Sequence, residues 1–65
     1  MLKSYVVLFV EPEYPLEVSG FVCDAEDEDH AEEQVLDAYP DANVVWVEEG
    51  TEPAIAFEHY WETTP

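Results

Sequence analysis

The chain has 65 residues, of which 17 are Asp or Glu and one, Lys3, is basic, so its formal net charge is −16. This length allows one small domain, residues 1–65, and leaves no room for a large substrate pocket. Because buried charge is costly unless it is paired, nearly all of the carboxylates must face solvent. Such a surface repels nucleic acid and anionic membranes, so we expect no direct binding to either and a positively charged partner instead.

Acidic chains are often disordered, but 48% of this sequence is apolar and 14% is aromatic, which predicts a folded domain. The first residues contain only a short apolar stretch, which predicts neither a signal peptide nor a membrane span. A lone cysteine, Cys23, excludes an internal disulfide and is typical of a reducing compartment. These features predict a cytoplasmic protein.

The first two elements are predicted to be antiparallel strands. Residues 2–10 are rich in β-branched and aromatic side chains, which predicts a buried strand that ends before Pro12. Residues 16–23 alternate in polarity and predict a second strand, antiparallel to the first. One face of that strand is expected to carry Leu16, Val18, Gly20 and Val22.

A helix is predicted at residues 27–38. Asp24 or Asp27 can cap its N-terminus, and Pro40 stops it. Acids in the first turn suit the positive end of the helix dipole. The inner stripe is expected to contain Ala31, Val35, Leu36 and Ala38 or Tyr39, and the solvent face Glu28, Asp29, Glu32, Glu33 and Asp37.

Two further strands are predicted after the helix, at residues 44–47 and 54–61, with a turn at residues 50–53. The order ββαββ predicts an α+β domain of two layers, in which one helix packs on one face of a small, mainly antiparallel four-stranded sheet. Because one helix covers one face, aromatic residues on the other face are candidates for exposed partner anchors. These are Phe21, Trp46 and Tyr60.

The functional hypothesis depends on the run of acids between Asp24 and Glu33. An EF-hand is excluded, because the sixth position counted from Asp24 is not glycine and the twelfth, Val35, is not Glu. Asp29, Glu33 and Asp37 stand at successive i,i+4 positions, where each like-charge pair costs about 0.2–0.5 kcal/mol. A face that lowers stability in this way indicates that charge density is itself useful.

The dense negative charge of this run has two possible roles. One is mimicry of a nucleic-acid backbone, in which Lys and Arg of a DNA-binding protein grip carboxylates in place of phosphates. The other is adaptation to concentrated salt, which gives a structural or protein-interaction module with no inhibitory role. Composition alone does not separate them, although adaptation is expected to scatter the acids rather than concentrate them in one run.

No motif indicates catalysis. His30 and His59 lack the spacing of a metal site, and the sequence contains no glycine-rich phosphate loop. The acids beside Cys23, such as Asp24, are expected to disfavour its thiolate. We therefore predict a protein that is not an enzyme and that uses no metal and no cofactor.

In its small size, its ββαββ order and its carboxylate-rich helix, the chain resembles the phage-encoded anti-CRISPR proteins that mimic DNA, and is most similar to inhibitors of the type I-C Cascade complex. The resemblance implies a protein of the host bacterial cytoplasm that occupies the basic surface of a Cas protein and blocks target DNA binding. The residues that match this role are Asp24, Glu26, Asp27, Glu28, Asp29, Glu32, Glu33 and Asp37, with Glu11, Glu13, Asp41, Glu48 and Glu49 as additions from loops. The high charge predicts a monomer.

Overall fold

The computed structural model describes residues 1–63, which form a three-stranded antiparallel sheet and two helices. The elements in chain order are β1 (Lys3–Glu11), β2 (Tyr14–Ala25), α1 (Glu28–Ala38), β3 (Asn43–Glu49) and α2 (Pro53–Thr63). The strands lie in the order β2-β1-β3, and β1 is antiparallel to both of its neighbours. The fold is therefore α+β, with β1 at the centre of the sheet.

The predicted hairpin is confirmed, and it is longer than the sequence pattern indicates. β1 and β2 pair from Lys3 opposite Ala25 to Glu11 opposite Tyr14. The third predicted strand is also confirmed, since β3 includes residues 44–47 and pairs with the other side of β1.

Both faces of β1 are covered, because successive side chains of a strand point to opposite faces of its sheet. Tyr5, Val7 and Phe9 pack with α1 on one face, which we call the α1 face. Val6 and Leu8 pack with α2 on the other, which we call the α2 face. The sheet therefore lies between two helices, and the domain has three layers rather than the two that were predicted.

The prediction of a fourth strand at residues 54–61 is wrong, because this segment lies within α2. Its alternating pattern coexists with a helical one, since Pro53, Ala56, Phe57 and Tyr60 stand at i, i+3, i+4 and i+7. Proline is also favoured at the first position of a helix, where its missing N–H costs no hydrogen bond. The sheet consequently has three strands among the described residues, and its second face is covered by a helix.

Gly20 allows α2 to approach the sheet closely. A Cβ atom at this position would lie 3.1 Å from the Cβ of Pro53 and 3.6 Å from Cε2 of Phe57. The missing side chain therefore makes room for the first turn of α2 above β2.

The expectation that Phe21, Trp46 and Tyr60 are exposed is wrong, because all three are half-buried. Trp46 and Tyr60 pack edge to face on the α2 face, with ring centroids 6.1 Å apart. Phe21 packs on the α1 face, 6.4 Å from the ring of Tyr39. Trp61, by contrast, is 59% exposed.

The helix α1 is confirmed, and its ends match the sequence signals. Asp27 is the N-cap, and its Oδ1 accepts a hydrogen bond from the backbone N–H of His30 at 2.8 Å. The backbone N–H of Tyr39 donates to the carbonyl of Val35 at 2.7 Å, and Pro40 follows. Neither α1 nor α2, each of 11 residues, is long and apolar enough to cross a membrane.

The inner stripe of α1 is narrower than predicted. Ala31 and Val35 are fully buried, as expected. Leu36 is 41% exposed and Ala38 is exposed, so their assignment to the inner stripe is wrong. Leu36 follows Val35 directly, and consecutive helical residues point about 100° apart. Tyr39 lies at the edge of the stripe, where its ring stacks on Phe9 at 5.0 Å.

Candidate functional site

The first candidate site is a set of carboxylates on α1 and on the segment that leads into it, which we call the acidic face. Six of its members are exposed and Glu32 is half-buried. Because α1 turns its buried residues toward the sheet, its carboxylates project from the opposite side of the helix. The acidic face consists of Glu26, Asp27, Glu28, Asp29, Glu32, Glu33 and Asp37. Asp24, which was predicted to belong with them, lies instead in β2, where its side chain shares the α2 face of the sheet with Ser4. The structure therefore does not bring Asp24 together with the α1 carboxylates, because successive side chains of a strand point to opposite faces and the next residue, Ala25, faces α1.

Hydrogen bonds hold the segment before α1 in place. The hydroxyl of Ser4, on β1, donates to Oδ1 of Asp24 at 2.9 Å, and Nε2 of Gln34 donates to the Asp24 carbonyl at 2.6 Å. The backbone N–H of Glu26 donates to Nδ1 of His30 at 3.1 Å. These contacts connect the acid-bearing segment both to the sheet and to α1, so its carboxylates are presented from an ordered backbone.

No basic side chain within residues 1–63 forms an ion pair with the acidic face. The ion pairs in this part of the chain join Lys3 Nζ to Glu49 Oε2, at 3.9 Å, and His59 Nδ1 to Glu48 Oε1, at 2.9 Å. The chain has no other Lys or Arg. The acidic face therefore keeps its negative charge available to a partner.

The five additional residues predicted from loops lie in three places. Glu11, Glu13 and Asp41 lie at the end of the sheet where α1 terminates, in or beside the turns at residues 12–13 and 40–41. Glu49 lies at the opposite end of the sheet, beside Lys3. Glu48 belongs to the α2 face, where its carboxylate contacts other residues of the chain. The structure thus brings Glu48 together with α2 and not with the acidic face.

The second candidate site is a chain of polar contacts between β3 and α2. Nε1 of Trp46 donates to Oε1 of Glu48 at 2.8 Å, and Nδ1 of His59 lies 2.9 Å and 3.1 Å from the two Glu48 oxygens. Sequence reasoning did not identify this cluster, because its members belong to two elements whose contact depends on α2 being a helix. Glu48 and His59 line a shallow depression of about 370 Å³ with Glu49, Gly50, Thr51, Glu52 and Ile55.

These contacts shift the pKa values of both ionisable partners. The hydrogen bond with Glu48 and then the charge of Glu48 raise the pKa of His59. Desolvation opposes them but is smaller, and the charges of Glu62 and Glu58 add still smaller increases. Burial raises the pKa of Glu48, but the hydrogen bonds from Trp46 and His59, together with the charge of His59, outweigh it and leave the pKa below its ordinary value. The pair is therefore an ionic link between β3 and α2 in mildly acidic solution.

The described residues offer little to nucleophilic or metal chemistry. No group of three His, Cys, Asp or Glu side chains within residues 1–63 is placed to hold a metal ion. Cys23 packs with the α1 face, whereas His59 belongs to α2, so the two lie on opposite sides of the sheet. Burial and the charge of Asp24 raise the pKa of the Cys23 thiol, which disfavours its reactive thiolate.

Comparison with known proteins yields no significant match to a family model, a curated protein or a solved structure.

Proposed function

We propose that this protein is a noncatalytic inhibitor that acts as a DNA mimic. Its acidic face would bind the basic surface of a DNA-binding protein and exclude nucleic acid from it. The observation that supports this proposal is an asymmetry of charge between the two helices. Each has 11 residues and covers one face of the sheet, yet α1 carries five acids and α2 carries two.

This asymmetry favours mimicry over general adaptation to salt. Adaptation acts on every solvent-facing position, and α2 has exposed positions that carry no charge, including Ala54, Ile55 and Trp61. The acids are instead concentrated on α1, where they repel one another at i,i+4 spacing. A partner that needs dense negative charge on one surface explains this distribution.

The spacing of the α1 carboxylates also suits a phosphate-binding partner. The five acids from Glu28 to Asp37 span a helical rise of about 14 Å, or roughly one carboxylate for every 3 Å. One strand of DNA carries a phosphate about every 3.4 Å along its axis. Lys and Arg side chains arranged for phosphates can therefore bind these carboxylates, and Arg can do so through two hydrogen bonds.

The resemblance to anti-CRISPR proteins makes a type I-C Cascade the first target to test, with the acidic face on the Cas-protein surface that reads the PAM or holds target duplex. Long-range attraction is expected to speed association, and affinity is expected to fall steeply with ionic strength. Inhibition would then follow from occupancy of the DNA site, in the host cytoplasm, without any chemical step.

The test is competition between this protein and a PAM-bearing duplex for purified type I-C Cascade. A variant with Asp29→Asn, Glu33→Gln and Asp37→Asn is expected to inhibit about 100-fold less well, because charge-assisted hydrogen bonds contribute about 1.5–3 kcal/mol each before solvent screening. A matched control neutralises three exposed acids outside the acidic face and is expected to inhibit nearly as well as wild type. Its substitutions are Glu17→Gln, Glu52→Gln and Glu62→Gln.

Three outcomes separate the parts of this proposal. Equal inhibition by wild type and the α1 variant would show that α1 is not the mimic. Salt-sensitive binding to a different DNA-binding protein, with no effect on Cascade, would keep the mechanism and discard the target. Absence of any basic partner at low salt would remove the mimicry proposal itself.

The alternative is a salt-adapted interaction module, and the exposed apolar side chains favour it. Trp61 and Leu16 are both exposed, and carboxylates at Glu52, Glu58 and Glu62 extend the negative charge to the other side of the sheet. Such a module would gain stability in concentrated salt and retain its partner there. A DNA mimic would lose its partner under the same conditions.

A further inference from the structure

The outer side of α2 carries an exposed tryptophan beside exposed carboxylates. Trp61 is 59% exposed, and Glu58 and Glu62 are exposed as well. Glu58 precedes Trp61 by three residues, a spacing that puts two side chains on the same side of a helix with their Cβ atoms about 5–6 Å apart. An aromatic ring and a carboxylate therefore stand side by side on the solvent side of α2.

Neighbouring aromatic side chains hold the ring of Trp61 in position. Its centroid lies 5.0 Å from that of Tyr60, and the two rings meet at 61°. Tyr60 in turn packs edge to face on Trp46 of β3, with centroids 6.1 Å apart. These contacts connect the exposed ring to the sheet through two half-buried rings, so a ligand would bind a side chain whose freedom is already restricted.

The carboxylates beside this ring have no cationic partner within residues 1–63. The ion pairs in this part of the chain use Glu49 and Glu48, and His59, the residue after Glu58, pairs with Glu48. Glu58 and Glu62 stand at i,i+4 on α2, where like charges repel each other. A cation bound beside Glu58 would relieve that repulsion.

We infer that Glu58 and Trp61 form a binding site for an arginine side chain of a basic partner protein. A guanidinium group is planar, so it can stack on the face of the indole ring and donate two parallel hydrogen bonds to the Glu58 carboxylate. A cation–π contact needs the charge within about 6 Å of the ring centroid, which the spacing of the two side chains allows. Lysine supplies the charge but neither the planar group nor the paired donors.

The charge of the chain favours this occupant over an uncharged one. A net charge of −16 attracts basic proteins, but long-range attraction does not distinguish arginine from lysine. The Glu58–Trp61 site adds that distinction at short range. It belongs to α2, on the side of the sheet opposite to α1 and the acidic face, so the inference does not depend on DNA mimicry.

Nuclear magnetic resonance tests whether the site is used. The isotope-labelled protein is titrated at low ionic strength with hexaarginine and, separately, with hexalysine, which carries the same number of cationic side chains. We expect hexaarginine to shift the indole N–H resonance of Trp61 and the backbone resonance of Glu58, and hexalysine to shift both less at the same concentration. The indole N–H of Trp46 is the internal reference, because it already donates to Glu48. Shifts confined to α1, or equal shifts at Trp61 with the two peptides, would overturn the inference.

Two variants separate stacking from charge, with affinities measured by the fluorescence anisotropy of labelled peptides. Trp61→Leu is expected to weaken hexaarginine binding about two- to fivefold, the contribution of a cation–π contact at an exposed site, and to weaken hexalysine binding less. Glu58→Gln is expected to weaken hexaarginine binding more than Glu17→Gln, which removes the same charge from an exposed position on β2. Thermal melts confirm that each variant is folded. Equal losses for the two peptides in Trp61→Leu, or equal effects of the two Glu variants, would contradict the proposed site.

Discussion

Neutralising Glu33 tests the claim that the acidic face lowers the stability of the fold. Glu33 lies between Asp29 and Asp37 on α1, at i,i+4 from each, and is exposed. Replacing it with Gln removes two like-charge pairs of about 0.2–0.5 kcal/mol each, so we expect a gain of about 0.4–1 kcal/mol in the free energy of unfolding. Glu and Gln have similar helix propensities, and the middle of α1 is remote from the helix dipole ends, so other contributions are small.

The gain is measured by thermal unfolding followed by circular dichroism. For a domain of this size, 0.4–1 kcal/mol corresponds to a rise in Tm of roughly 2–8 °C. The measurement is made near pH 8. Glu17→Gln removes the same charge from an exposed position on β2, where no acid stands at helical i,i+4 spacing, and controls for net charge.

Salt supplies the second half of this test. The rise for Glu33→Gln is expected to be largest near 0.01 M salt and to shrink near 1 M, where the Debye length falls to about 3 Å. Equal Tm values for Glu33→Gln and Glu17→Gln at low salt would contradict this prediction. The concentration of acids on α1 would then carry no energetic cost, and the argument that a partner maintains it would lose its basis.

Two further predictions concern the α2 face. The pKa of His59 is raised from 6.5, so the stabilising contribution of His59 is complete below pH 6.5 and is lost as the pH rises through the raised pKa. The pKa of Glu48 is lowered from 4.5, so the stabilising contribution of Glu48 is complete above pH 4.5 and is lost as the pH falls through the lowered pKa. Urea unfolding is therefore expected to show the Glu48–His59 contribution at its maximum between about pH 4.5 and 6.5, and His59→Gln to flatten that dependence. Leu8→Ala, at a fully buried position, is expected to lower the free energy of unfolding by about 2–5 kcal/mol. Leu16→Ala, at a position that is 97% exposed, is expected to change the free energy of unfolding by less than about 0.5 kcal/mol. Similar values for the two variants would contradict the burial of the β1 core.

The fold could be predicted from the sequence up to residue 50 and not beyond it. The strands and α1 have strong local signals, such as the Asp27 cap and the break at Pro40. The segment after Pro53 fits two periods at once, because Ile55, Phe57, His59 and Trp61 alternate, while Pro53, Ala56, Phe57 and Tyr60 follow helical spacing. The face of the hydrophobic strand β1 that α1 leaves uncovered could have shown that the helical period is the correct one. A strand buried on both faces requires a second covering layer, and α2 supplies it.

The acidic face and the Glu48–His59 link differ in how far sequence could identify them. The acidic face was predictable, because a carboxylate in a small domain has almost nowhere to lie except in solvent. The link depends on the register of β3 and on the rotation of α2, which together bring Glu48 to His59. Seventeen acids are available to two histidines, and composition alone cannot select the pair that meets.

Salt acts in opposite directions on folding stability and on binding to a basic partner, which allows a single titration to separate them. Screening weakens repulsion within α1, so folding stability rises with salt. Binding to a basic partner is an attraction between unlike charges and must weaken. A partner that dissociates while the protein becomes more stable is bound by charge. A partner that stays bound through the same range is bound mainly by apolar surface, and the DNA-mimic proposal would then fail even if the acidic face is as costly as we expect.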